Sequence, residues 1–98
     1  MKIPLQKAEE IATRGLQQKA AQSKRLSQFH FDAPRLHAEY DRCFVFAAPS
    51  EEMEEAGYAP AALFVYVDKS DGHLWDNEEQ KAYFYATAKQ VQPERIAA

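Results

Sequence analysis

Three groups of side chains in this 98-residue chain have types and spacings that could do chemistry. The first is a run of carboxylates, Glu51, Glu52, Glu54 and Glu55 in EEMEEAG, which could supply an acid/base pair or a landing patch for a basic partner. An acid/base pair needs a shaped pocket around it, whereas clustered acids on a surface segment mostly meet water, so a solvated surface leads and a landing patch is its functional alternative. The second group is Asp68, Ser70, Asp71 and Asp76, four oxygen donors within nine residues. An EF-hand loop needs glycine at its sixth position; counted from Asp68, Gly72 falls fifth, and a tight turn explains the same residues without a metal. The third group is His30, His37 and His73 with the single cysteine, Cys43. No pair among them has the short spacing of a zinc site, and Cys43 sits in an apolar strand pattern, where cysteine acts as a small hydrophobe. The three glycines are isolated and build no phosphate loop. No catalytic, metal-ligating or cofactor-binding residue is assigned, no cofactor is expected, and a non-enzymatic role follows.

With 46% apolar residues the chain carries enough hydrophobic surface to offset ordering entropy, so one folded domain is expected over 1–98, with a loose tail at 93–98. One cysteine cannot close an intrachain disulfide, MKIPLQKAEE lacks an apolar signal core, and the apolar stretch from Ala59 to Val67 is too short to span a bilayer. A cytoplasmic protein without a membrane partner is the expectation. Charge is unevenly spread beneath the net −3: six cations and two anions fall in the first 28 residues, six cations and thirteen anions in the rest. A nucleic-acid site would gather its cations on one face. Here Lys7, Arg14, Lys19, Lys24 and Arg25 scatter around the polar side of a helical pattern, and the sequence pI is about 5.6, so no nucleic-acid partner is expected.

The elements follow from periodicity. Residues 4–27 are rich in helix formers, and Leu5, Ala8, Ala12, Leu16, Ala20 and Ser23 recur at three- and four-residue steps, predicting one long helix with a narrow stripe of small side chains. Gly15 beside the stripe suits close packing. Pro34 breaks the pattern, and alternation from Leu36 leads into a firm strand at Cys43 to Ala48. Ser50 can cap a short helical turn through the glutamates, and the apolar run from Ala61 to Val67 reads as a central strand. Asp71-Gly72, with apolar character resuming at His73-Leu74-Trp75, signals a hairpin. Asp76 and Asn77 with the following acids predict a helix over about 78–90, with capping-box spacing from Asn77 to Gln80; the competing reading makes 82–88 a fourth strand. The fold class is α+β: a long N-terminal helix packed on an antiparallel sheet of three or four strands, completed by a C-terminal helix. The second sheet face must then be polar, covered by the C-terminal segment, or used in association.

The order CFVFAA, EEMEEAG, ALFVYVDKSDGHLW resembles the small bacterial immunity-protein and heat-stable chaperone-like family over roughly residues 43–90. The family's hairpin corresponds to Val67, Asp68, Lys69, Asp71 and Gly72, and its aromatic strand to Phe44 and Phe46; the chain departs from it at Cys43, where the family tends to have Trp, and in the linker from Asp32 to Arg35. The resemblance implies a non-enzymatic protein that binds a toxin or client. Dense negative charge makes Glu51, Glu52, Glu54, Glu55, Asp68, Asp71, Glu78 and Glu79, with Trp75 as an aromatic anchor, the expected partner-binding residues. Two alternatives are a small-ligand-binding or enzymatic subunit, with a pocket between sheet and long helix lined by Phe, Tyr and His, and a homodimer joined through the open sheet face.

Overall fold

Leu5–Gln22 form helix α1, whose stripe buries Ala8, Ala12 and Leu16 against a three-stranded antiparallel sheet. Small side chains bring the helix axis close to the strands. At Gly15 an added Cβ would overlap Cδ1 of Leu74, so close approach is the role of that glycine. The helix predicted to run to residue 27 stops earlier: Ser23 turns to an extended backbone and its Oγ accepts the Leu26 N–H at 3.2 Å, ahead of a 3₁₀ turn at Leu26–Gln28. Serine's side chain here offers the backbone a partner in place of the helical one.

The structure, a computed structural model, describes residues 2–86. Strands β1 (Arg35–Glu39), β2 (Cys43–Pro49) and β3 (Ala62–Asp68) lie in that order, each antiparallel to the next. The alternation read as continuous from Leu36 is two strands folded back on each other, closed by a bond from Tyr40 N–H to the Cys43 carbonyl at 2.9 Å. Register pairs Phe44 with Val67, Phe46 with Val65 and Ala48 with Leu63 on the face under α1, and Cys43 with Asp68 and Val45 with Tyr66 on the other.

That second face is covered in part by α3 (Asn77–Ala86), which packs Tyr83 over Cys43, Val45 and Trp75. Residues 82–86 are therefore helical and the fourth-strand alternative does not hold for them; the rest of the predicted helix to 90, and the tail at 93–98, lie outside the described residues. A reciprocal capping box starts α3, formed by Asp76 and Glu79 one residue ahead of the Asn77–Gln80 pair expected: Asp76 N–H donates to Glu79 Oε1 at 3.1 Å, and Glu79 N–H to Asp76 Oδ1 at 2.8 Å.

Candidate functional site

The glutamate run forms the short helix α2 (Glu51–Glu55) between β2 and β3. Ser50 caps it, its Oγ accepting the Met53 N–H at 3.2 Å, and Met53 is only 4% exposed, pinning the turn to the body. Gly57, at φ +92°, carries the chain out of it in the conformation that favours glycine. Glu52 is tied down, accepting the backbone N–H of His30. Glu51, Glu54 and Glu55 are exposed, and none has an ion-pair partner among the described residues. Arg25, from the basic segment, lies 5.8 Å from the ring centre of Tyr58 just beyond α2.

The second group of expected partner-binding residues divides into interior and surface. Asp68 and Trp75 are 6% and 7% exposed, and Trp75 Nε1 donates to Asp68 Oδ2 at 2.8 Å. Asp68 Oδ1 accepts the Ser70 N–H at 2.8 Å and its hydroxyl at 2.5 Å. Burial alone would raise this carboxyl, but the bonds from Ser70 and Trp75 together hold it below the usual range. Both residues organise the turn from inside and offer no contact surface, because an indole N–H drawn into the interior needs a buried acceptor.

Asp71, Glu78 and Glu79 stay at or near the surface. His73 lies between two of them, with Nδ1 2.6 Å from Asp71 Oδ1 and Nε2 2.7 Å from Glu79 Oε2. The bonds to Glu79 and Asp71 push the imidazole up to about 9, making it an imidazolium that ties the turn to the start of α3. Donor atoms of Asp68, Asp71 and His73 lie within 4.8 Å of one another, the spacing of a metal cluster. Each is already engaged: Asp68 by Ser70 and Trp75, His73 by the flanking carboxylates.

One group escapes sequence reasoning. Lys69 is 6% exposed; its Nζ bonds Glu39 Oε2 at 2.7 Å and lies 4.9 Å from the ring centre of Phe44. Only the register that brings β1 beside β2 reveals this pair. Cys43 is fully buried, and desolvation, reinforced by the carboxylates of Asp68 and Asp41, pushes its thiol up to about 12. It stays protonated and is no nucleophile.

A hollow of about 530 Å³ lies between the C-terminal half of α1, the segment leading to β1 and the sheet, lined by Leu16, Ala20, Phe31, Pro34, Ala48 and Leu63 among others. The small-ligand alternative calls for a pocket between sheet and helix lined by Phe, Tyr and His; this hollow has Phe31 but neither tyrosine nor histidine among its lining residues. His37 lies edge-on to Phe64, a second-face residue, their ring centres 5.3 Å apart, and His73 belongs to the turn before α3. Apolar walls of this kind can hold an apolar group; the polar side chains among the lining residues are Thr13, Gln17, Ser27 and Asp32. Among the described residues, no helix is long and apolar enough to cross a membrane. Compared with protein-family models, with curated proteins and with solved structures, the chain finds no match.

Proposed function

We propose that this protein is a non-catalytic domain that works by binding another protein, with the exposed carboxylates of α2 as the charged part of its contact surface. The observation that supports this most directly is that Glu51, Glu54 and Glu55 stand on a turn anchored by Ser50, Met53 and Glu52 without a paired cation among the described residues. Like charges fixed side by side repel one another, and a basic partner relieves that repulsion while gaining steered association. The groups with chemistry of their own are committed elsewhere: Cys43 as a buried thiol, His73 between two carboxylates, Asp68 beneath Trp75, Lys69 against Glu39. The family resemblance supplies a toxin or client as the class of partner, and a lone cysteine suits a reducing cytoplasm.

The test is capture of the partner by tagged protein at two ionic strengths. Recovery of one stoichiometric protein is expected to fall between ~50 mM and ~300 mM salt, as the Debye length shortens. Recovery independent of salt, or of no stoichiometric protein, would overturn the reading.

A further inference from the structure

Resting on the protein-binding reading, we infer that the hollow beside α1 receives one large apolar side chain of the partner, presented next to a lysine or arginine. At the N-terminal half of α1, Ala8 and Ala12 are fully buried against the sheet; toward the other end Ala20 is only half-buried, and the space it leaves is the hollow. Interiors of proteins are close-packed, yet alanines at 20, 21, 33 and 48 line this space without filling it. A volume of about 530 Å³ falls in the range of binding cavities and exceeds what a leucine or phenylalanine side chain needs.

Charge selects the neighbour of that side chain. Among the described residues, Asp32 is the only charged one lining the hollow, and its backbone N–H bonds the Pro49 carbonyl at 2.8 Å, at the point where β2 hands over to Ser50 and α2. His30, two residues earlier, is bonded to Glu52. The segment that walls the hollow is therefore stitched by these two bonds to the start of the acidic turn. Apolar centre and charged border together are the anatomy of a protein interface with an anchor residue.

The test uses ¹⁵N-labelled full-length protein and blocked tetrapeptides of sequence Lys-Leu-Leu-Lys, Glu-Leu-Leu-Glu and Lys-Ala-Ala-Lys as probes. Saturable amide shifts at Leu16, Ala20, Phe31, Ala33 and Leu63 are expected with the first. The second should bind about fivefold more weakly or worse, the size of an exposed ion pair, and the third should leave those amides unmoved. Ala20→Phe fills the hollow and abolishes the shifts. Asp32→Lys, an exposed change that leaves the core untouched, weakens the first peptide and keeps the inference falsifiable should the fuller side chain unfold the helix. Equal binding of the lysine and glutamate peptides, or shifts confined to another surface, overturns it. So do shifts of the same amides on raising the protein concentration alone, which assign the hollow to a second copy, and shifts with decanoic acid but no peptide, which assign it to an acyl ligand. A captured partner lost by the α2 charge reversal E51K/E54K/E55K but retained by Ala20→Phe would sink this inference and leave the protein-binding reading standing.

Discussion

The indole N–H of Trp75 is bonded to the carboxylate of Asp68 at 2.8 Å inside the protein, and this single contact joins β3, the turn after it and the approach to α3. Trp75 N–H also donates to the Tyr66 carbonyl at 2.9 Å, so side chain and backbone hold the returning chain at the edge of the sheet. Removing the acceptor by Asp68→Ala leaves a buried N–H without its partner and frees Ser70, and should cost about 2–4 kcal/mol in urea unfolding followed by circular dichroism. Trp75→Phe keeps the ring but not the donor and should cost about 1–3 kcal/mol. Values below about 0.5 kcal/mol for both would show that the bond contributes nothing net.

Stability should decline on the alkaline side through His73. Its imidazole is held protonated to about 9 in the folded chain, against 6.5 without its partners, so its contribution is complete below pH 6.5 and is lost as pH rises through about 9. The side chain is 44% exposed, so screening reduces the effect to about 1 kcal/mol. His73→Gln should flatten this limb of a stability profile measured from pH 6 to 10. Asp68 and Asp71 have their carboxyls held low, so their contributions are present above the usual carboxylate range and are lost as pH falls below it, through their lowered folded values. An unchanged alkaline limb in the variant would remove His73 from the account.

Lys69 and Glu39 should behave as a unit. Lys69→Met removes the buried ammonium from Glu39, and Glu39→Leu takes the carboxylate from Lys69, each at about 3 kcal/mol, while the double replacement Lys69→Met with Glu39→Leu should cost less than the two single losses added together. A double-mutant cycle in urea measures this, and strict additivity would mean that the pair does not couple.

Gly72 has φ +80°, and a Cβ placed there would meet Ile11 Cδ1. Gly72→Ala should cost about 1–2 kcal/mol, most of it from the left-handed backbone, since the isoleucine tip can rotate away. Gly57→Ala, at φ +92° with open space around it, should show the backbone part alone. A larger loss at Gly57 than at Gly72 would contradict this division.

Much of the fold could be read from residue types, because the signals were local. Periodic alanines marked α1, β-branched and aromatic runs marked β2 and β3, and Asp71-Gly72 marked the turn that Gly72 makes at positive φ. What the residues could not reveal depended on long-range pairing. Lys69 and Asp68 look solvated in DKSDG, and only the packing of β1, Phe44 and Trp75 around them draws them inside. Ser23 looked like one more member of a helical stripe; its competing hydroxyl bond ends the helix there. At the candidate site the glutamates of α2 were legible as exposed charge, whereas the hollow is lined by residues of α1, the segment before β1, β2 and β3, which no local motif brings together.

Contact through the acids of α2 is tested most directly by quantitative mass spectrometry of material captured by the tagged wild-type chain and by E51K/E54K/E55K, with circular dichroism showing that both are folded. All three substitutions lie on exposed side chains, so the fold should lose little. One stoichiometric protein partner is expected with the wild type, and at least ~10-fold lower recovery with the charge-reversed chain, because several interfacial charges change sign. Equal recovery of the same partner by both chains would contradict it.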